Sequence, residues 1–150
     1  MTTFEVNTII HAPIQEVWNT LADIGSISVW NPGVTKSYTT NDVDGLGGTR
    51  HCDLKGNFHL KEEVVTFEPN KAITFRITDS NTPFKTADIR FTLSSKNGST
   101  VVNVSPVYKM KYGLIGKAMD SLFIYSSYKK GMAALLSGLK KNVESAVATV

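Results

Sequence analysis

Between residues 34 and 110 the chain alternates β-strand patterns with very short turns, and this feature limits its possible folds most strongly. The turns contain the glycine, asparagine and proline residues that tight turns favour: DGLGG at 44–48, KGN at 55–57, EPN at 68–70, NTP at 81–83 and NG at 97–98. Strands joined by such short connections pair antiparallel. The pattern therefore predicts an antiparallel meander, with strands at about 34–41, 49–54, 58–67, 71–79, 84–95 and 100–110.

The two ends of the chain add one strand and several helices. Residues 4–11 alternate as a half-buried strand does, and residues 13–22 place apolar side chains at helical spacing. A second short helix is predicted at about 24–29, because the sequence NPG follows it and ends it. The last forty residues return to a spacing of three or four, which predicts a short turn or helix and then one long helix at about 118–147.

Together these elements predict an α+β fold. An antiparallel sheet of about seven strands has one face to cover, and the long amphipathic C-terminal helix is suited to cover it. The sheet must then curve around that helix, with the two short helices after the first strand closing one end. The 150 residues are expected to form one domain, 1–150, which is large enough to bury a core without disulfides or metals.

Composition and charge exclude several classes of function. The net charge is +3, but the lysines are scattered over turns and the helix rather than gathered in a stripe, so nucleic acid is not an expected partner. With Cys52 as the one cysteine, no internal disulfide is possible. We expect a cytoplasmic protein without an integral membrane segment, because the sequence shows neither a secretory signal nor about 18 consecutive apolar residues.

Strand alternation gives the sheet an apolar and aromatic inner face, while His59, Lys61 and Glu63 face outward together with Val65 and Phe67. A pocket between the inner face and the long helix would be mostly apolar, with a few polar groups. Simple core packing explains each apolar residue equally well, and the Tyr108 hydroxyl could orient a ligand oxygen or bond to the backbone. The predicted wall residues are Phe58, Leu60, Phe75, Phe91, Tyr108, Met119 and Phe123, with Trp30 and Tyr38 at the mouth.

Glu62 is the main polar residue on the predicted inner face, where a carboxylate is costly unless it is paired. A three-residue loop at 55–57 sets Cys52 opposite Leu60 and Arg50 opposite Glu62, all facing inward. This register predicts a buried Arg50–Glu62 ion pair. A two-residue loop would instead place His51 or Thr49 opposite Glu62, and an ion pair at the sheet rim that only balances charge is an equally good interpretation.

Other chemical motifs are weak. Cys52 is expected to behave as a small buried hydrophobe, with a reactive role as the minor alternative. No metal site or cofactor is predicted, because His51, Cys52 and Asp53 are adjacent on a strand and alternate between its faces. The chain also lacks the Gly-x-Ser-x-Gly turn that carries the nucleophile of many hydrolases.

Several segments, in order and spacing, resemble the START-like (SRPBCC) superfamily and its polyketide cyclase/dehydrase and lipid-transport branch. IIHAPIQEVW at 9–18 resembles the opening motif A-P-x-x-x-V-W, and ADIG at 22–25 with WNPG at 30–33 resembles the branch's second signature. GLGGTR at 45–50 is similar to G-x-G-x-x-R, and EEVVTFEP at 62–69 to E-x-V-x-x-x-x-P. The helix at 132–144 resembles L-x-x-L-K-x-x-x-E, so the resemblance covers essentially the whole chain.

The resemblance implies a helix-grip fold with a deep cavity between the sheet and the long helix. Members bind lipids, polyketides or other apolar molecules, and some are cyclases or hydratases. The first hypothesis is therefore a binding or carrier protein for a small hydrophobic ligand. The second is a cyclase or dehydratase in which Glu62 is the acid/base, with Arg50 or Tyr108 stabilising an oxyanion. The third is a regulatory protein whose cavity mouth contacts a protein partner.

Overall fold

An eight-stranded antiparallel sheet dominates the computed structural model, which describes residues 1–148. The sheet order is β1-β8-β7-β6-β5-β4-β3, and β2 also pairs with β8. The predicted first strand at 4–11 corresponds to β2, and β1, which precedes Phe4, is an additional strand, so there are eight strands rather than seven. The strands are β1 Thr2–Thr3, β2 Val6–Ile10, β3 Val34–Thr39, β4 Thr49–Leu54, β5 Phe58–Glu68, β6 Ala72–Ser80, β7 Phe84–Lys96 and β8 Ser99–Met110.

The helices lie where the sequence predicts them, but the last one begins differently. Two short helices follow β2, with a 3-10 turn at Ile24–Ser26 between them. The predicted helix at 118–147 is instead a short helix, a π-helical turn at Asp120–Ile124 and a long final helix. The helices are α1 Ile14–Ala22, α2 Ile27–Trp30, α3 Gly113–Met119 and α4 Tyr125–Ala148. None of the helices within residues 1–148 is long and apolar enough to cross a membrane.

Irregularities in strand pairing accompany the curvature that a helix-grip sheet requires. The β5–β6 register shifts twice, between Lys61 and Glu62 and between Val64 and Thr66. Extra residues of this kind bend a strand and increase its twist. After the second shift, the β5 residues that alternation had placed on the outer face point inward. The prediction that Phe67 faces outward is therefore wrong: its ring packs on Trp18 of α1, with centroids 5.2 Å apart.

The buried face of α4 packs on the concave side of the sheet. Its inward residues recur at three- and four-residue intervals, as one helix face requires, and they meet strand residues that are equally buried. Burying each such side chain contributes roughly 1.5–3 kcal/mol. The buried α4 residues are Met132, Leu135, Leu136, Leu139 and Val143.

Candidate functional site

A cavity of about 200 Å³ lies between the concave face of the sheet and the first half of α4. Most of its wall is aliphatic or aromatic, and α2 and the β6–β7 loop complete it. The lining residues are Ile27, Asn31, Val34, Arg50, Cys52, Leu54, Leu60, Glu62, Phe75, Ile77, Thr82, Phe84, Ile89, Phe91, Tyr128, Met132 and Leu135.

The hairpin of β4 and β5 has the predicted register, which brings the polar groups of the cavity together. Leu54 is opposite Phe58, Cys52 opposite Leu60 and Arg50 opposite Glu62. Arg50 Nε donates a hydrogen bond to Glu62 Oε1 over 2.9 Å, and each side chain is 4% exposed. The ion pair therefore lies in the interior and not at the sheet rim.

Three contacts hold the Arg50 guanidinium. Besides its bond to Glu62, Nη1 donates to the carbonyl oxygen of Ile24 over 3.0 Å, and Cζ lies 3.9 Å from the ring centroid of Phe75. A cation over an aromatic face is favourable, especially where water is excluded. Within residues 1–148, Arg50 Nη2 and Glu62 Oε2 have no hydrogen-bond partner. The pair thus keeps the Nη2 amino group as a donor and Oε2 as an acceptor for another molecule.

Tyr128 is the polar cavity residue that the sequence analysis missed. Its ring packs among the rings of Phe84, Tyr108 and Phe4, with centroids 4.9, 5.2 and 5.5 Å away. Burial raises the pKa of the Tyr128 hydroxyl well above its usual value, and the negative charge of Glu62 raises it further. The hydroxyl is a neutral group without a hydrogen-bond partner among the described residues. Its position four residues before Met132 in the helical repeat was the signal for an inward side chain.

Cys52 faces the cavity, as the register predicted. Burial raises the pKa of its thiol to about 12, and Arg50 only partly opposes this effect. Because the thiolate is the nucleophilic form of cysteine, the buried thiol is poorly suited to covalent catalysis at neutral pH.

Six predicted site residues line the cavity: Arg50, Cys52, Leu60, Glu62, Phe75 and Phe91. The two predicted mouth residues do not. Tyr38 pairs with outward-facing His51, so its ring stacks on the outer side of the sheet, with centroids 5.1 Å apart. Trp30 is buried where α2 meets α4, and its indole Nε1 has no hydrogen-bond partner among the described residues.

Phe58 and Tyr108 are also outside the cavity wall. Phe58 is the first residue of β5, so its ring lies over the turn at Gly56 and remains 43% exposed. Tyr108 is fully buried, but its hydroxyl donates to Asp120 Oδ1 over 2.5 Å. The alternative in which a protein group satisfies this hydroxyl is therefore correct, although the partner is a side chain and not the backbone.

Met119 and Phe123 point away from the cavity and are 40% and 69% exposed. The reason is the π-helical turn, which inserts an extra residue into the helix. The side chains that precede this residue therefore point in a different direction, relative to the inward face of α4, from the one that the regular helical repeat predicts. Asp120, which accepts a hydrogen bond from Tyr108, points inward in place of the predicted Met119 and Phe123.

Some of the remaining missed wall residues come from places where periodicity gives little information. Others lie at regular strand or helix positions, and the prediction did not include them in the site: Leu54, Ile77, Ile89, Met132 and Leu135. Thr82 lies in the β6–β7 turn, and Phe84 directly follows that turn as the first residue of β7. The segment from α2 to the start of β3 contributes Ile27, Asn31 and Val34. Turn residues have no alternation from which to infer a direction, so only their tertiary position identifies them.

A wider groove of about 680 Å³ runs over the outside, between α2 and α4. It is open to solvent and lined largely by small or polar residues, including Ser28, Ser137 and Asn142. It lacks the enclosed apolar wall and convergent charges of the inner cavity, which is therefore the better candidate site. No cluster of three or more metal-ligating side chains occurs over residues 1–148.

Comparisons with known proteins agree with this geometry. The family described as polyketide cyclase / dehydrase and lipid transport matches residues 1–144. The protein TTHA0849 from Thermus thermophilus is 15% identical with a TM-score of 0.81, over 97% of this chain and 99% of that one. A START superfamily protein from Mycobacterium smegmatis is also 15% identical, with a TM-score of 0.77 over 95% and 97%. These identities establish the fold alone. No curated protein matches the chain.

Proposed function

The chain belongs to the polyketide cyclase/dehydrase and lipid-transport family, and we propose that its inner cavity binds and carries a small hydrophobic molecule. The observation that carries the proposal is an enclosed apolar cavity with a fixed ion pair in its wall. Pockets of this composition suit ligands that are mainly apolar and have one or two polar groups. In this proposal the whole chain, residues 1–150, is the ligand-binding domain.

The cavity volume limits the class of ligand. An engineered cavity of about 150 Å³ in another protein accommodates benzene, so about 200 Å³ here suits a substituted single aromatic ring or a short acyl group. A sterol or a long-chain lipid would require the wall to open. We therefore propose a ligand of the smaller, aromatic or short-chain polyketide class.

Three unpaired polar atoms supply orientation. The free Arg50 Nη2 donates, the free Glu62 Oε2 accepts, and the Tyr128 hydroxyl can do either. A carbonyl or phenol oxygen on the ligand would satisfy the Arg50 or Tyr128 donor. Leaving such groups buried and unpaired is costly, so a ligand with a polar group is favoured over a pure hydrocarbon.

The test is ligand binding by the wild type and by two matched variants. Ile77→Trp fills the cavity, whereas Thr78→Trp adds the same ring on the outer side of the same strand. Single-ring phenols and aryl ketones should raise the melting temperature of the wild type and of Thr78→Trp, but not of Ile77→Trp. Native mass spectrometry of protein purified from its own cells should identify the bound molecule. If no apolar compound binds, or Ile77→Trp binds equally well, the carrier proposal is wrong.

An enzymatic role is the second candidate, and the free oxygen of buried Glu62 is the observation that favours it. In that case Glu62 acts as acid/base and Arg50 or Tyr128 stabilises an oxyanion. Against it, Glu62 is the one carboxylate among the described lining residues, and none of them is histidine. Glu62→Gln should abolish turnover of an identified substrate while leaving binding nearly intact. Unchanged turnover would exclude Glu62 as the acid/base.

We also propose that the protein works in the cytoplasm, since its buried cysteine is a free thiol. A protein partner at the cavity mouth stays a prediction. Pull-down with and without the identified ligand would test it.

A further inference from the structure

Helix α3 has the reverse of the usual amphipathic pattern. Its inward positions are Gly116 and, at the start of the π-helical turn, Asp120, both buried. Its outward positions carry large apolar side chains: Leu114 is 83% exposed, Ile115 69% and Phe123, in the π-helical turn, 69%. Tyr112 and Met119 extend the same segment, at 72% and 40% exposure. Together these five residues are called the α3 face. Contiguous exposure of this kind marks an interaction surface.

Contacts on the inner side fix this orientation. Asp120 accepts hydrogen bonds from Tyr108 at Oδ1 and from Thr2 at Oδ2, over 2.5 and 2.9 Å. A side chain at Gly116 would meet the carbonyl oxygen of Lys111, since a Cβ there would be 2.0 Å away. The helix therefore cannot roll its apolar residues inward without breaking these contacts.

The segment of the chain that carries the α3 face is basic. Between residues 89 and 143 the chain has eight lysines and Arg90, but Asp120 is its one acidic residue, and that carboxylate is buried. Lys109 and Lys117 are exposed and line a shallow hollow beside α3 together with Met1, whose side chain is 88% exposed. The apolar residues of the α3 face therefore lie beside exposed lysines.

We propose that the α3 face docks onto an anionic lipid surface. Apolar side chains on an interfacial helix insert among the lipid chains, while nearby lysines bind the acidic headgroups. A protein interface typically has an apolar core and a polar rim, whereas protruding apolar side chains beside lysines match a leaflet with a negative surface potential. The inference goes beyond the proposed cavity function and does not depend on it, because no cavity residue belongs to the α3 face.

The test is co-sedimentation with vesicles. The wild type should bind phosphatidylcholine vesicles containing about 30 mol% phosphatidylserine, and binding should weaken as salt rises above ~0.1 M. Leu114→Ser/Ile115→Ser should lower the partition coefficient by at least about tenfold. The matched control Val29→Ser/Leu46→Ser removes two apolar side chains that are 72% and 63% exposed elsewhere, and it should bind as the wild type does.

Charge is tested in the same way. Lys109→Gln/Lys117→Gln should lower the partition coefficient by about fivefold for each lysine removed, and Lys55→Gln/Lys71→Gln should have little effect. Equal binding to pure phosphatidylcholine vesicles, or no binding at low salt, would overturn the proposal. It would also fail if light scattering shows a dimer in solution that Leu114→Ser/Ile115→Ser converts to a monomer, because a second copy would then cover the face.

Discussion

The Arg50–Glu62 pair is the residue-scale feature on which the cavity depends. Both groups are buried, and the guanidinium is also held by Phe75 and by the Ile24 carbonyl. Taking two charges out of water is expensive, so such a pair adds little net stability compared with apolar residues. Removing one partner is far worse, because the remaining charge stays buried and unpaired. The pair therefore fixes the shape and polarity of the cavity more than it stabilises the fold.

We predict that Arg50→Met lowers the free energy of unfolding by about 3–5 kcal/mol, because it leaves Glu62 unpaired. The double variant Arg50→Met/Glu62→Met should recover most of that loss. Urea unfolding monitored by circular dichroism measures both. The control is Arg76→Met, which breaks an exposed pair with Asp88 and should cost no more than about 1 kcal/mol. A double variant as unstable as the sum of its single variants would contradict the prediction.

Cys52 should be unreactive in the folded protein. Its pKa is raised to about 12 by burial, so at pH 8 the thiolate population is small. Reaction with a chromogenic disulfide reagent should be at least about a hundredfold slower than in urea. Lys55→Cys in a Cys52→Ala background places a thiol on the exposed hairpin and should react rapidly. Fast labelling of folded wild type would show that the cavity opens.

The same pKa shift has a consequence for stability. A group that binds its proton more tightly in the folded state contributes stability below its ordinary pKa and loses it as the pH rises through the folded value. The wild type should therefore lose stability relative to Cys52→Ala from about pH 9 towards pH 12. Urea titrations across that range measure the difference.

At the residue scale, the sequence predicted contacts that follow from strand register. The three-residue loop at 55–57 sets which residues of β4 and β5 are opposite each other. Arg50, Cys52, Leu60 and Glu62 were therefore placed correctly. Tyr128 was missed in favour of Tyr108, although both are buried aromatic residues with a hydroxyl group. What separates them is the Asp120 partner of Tyr108, which lies beyond the end of the strand and has no local sequence signal.

At the scale of elements, α4 depends on a close approach to α2. A Cβ on Gly138 would lie 2.0 Å from the carbonyl oxygen of Trp30 and 3.0 Å from Cδ of Pro32. Gly131, in the same helix, has open space at the corresponding position. The two glycines look alike in the sequence, but only Gly138 is required for the contact between the helices.

We predict opposite effects for alanine at these two glycines. Gly131→Ala should stabilise the protein by up to about 1 kcal/mol, because alanine favours helix. Gly138→Ala should destabilise it by about 2–4 kcal/mol, because α4 must move away from α2 and leave its core contacts underpacked. Thermal and urea unfolding of both variants measure this. Similar stabilisation by both substitutions would show that α4 does not pack on α2 this closely.

Elements with a regular period were predictable, and the interruptions between them were not. The six meander strands agree with the sequence analysis to within a few residues. The β5–β6 bulges and the π-helical turn each shift the period by a residue. A shift of this kind reverses or rotates every side chain on one side of it. Phe67, Met119 and Phe123 were misplaced for this reason, since the energy that favours each interruption comes from tertiary contacts.

At the scale of the whole molecule, hydrogen bonds join β2, near the start of the chain, to the last helix, α4. Lys140 Nζ donates to the carbonyl oxygen of Ile9 over 2.6 Å and to Glu144 Oε2 over 2.6 Å. The same Glu144 oxygen accepts from the backbone nitrogen of His11 over 3.0 Å. The bonds with Ile9 and His11 join residues more than 130 positions apart, so they form only when the chain is fully folded. They hold the second half of α4 against β2, while the first half borders the cavity.

Because Glu144 joins β2 to α4, the free energy of unfolding should fall at acidic pH. The hydrogen bond from Lys140, helped by the His11 amide, lowers the pKa of the Glu144 carboxyl below its usual value. A carboxylate with a lowered pKa contributes stability above its ordinary pKa near 4.5 and loses it as the pH falls through the folded value. Glu144→Gln should therefore cost about 1 kcal/mol at pH 7, and the difference from the wild type should shrink below about pH 4.

Urea unfolding at pH values from about 3 to 7 checks this prediction. The control is Glu5→Gln, an exposed carboxylate near the start of β2, which should leave the unfolding free energy nearly unchanged across the range. A Glu144→Gln deficit that stays constant down to pH 3 would mean that the carboxylate charge does not hold α4 to β2. In that case the apolar face of α4 alone would position the helix over the cavity.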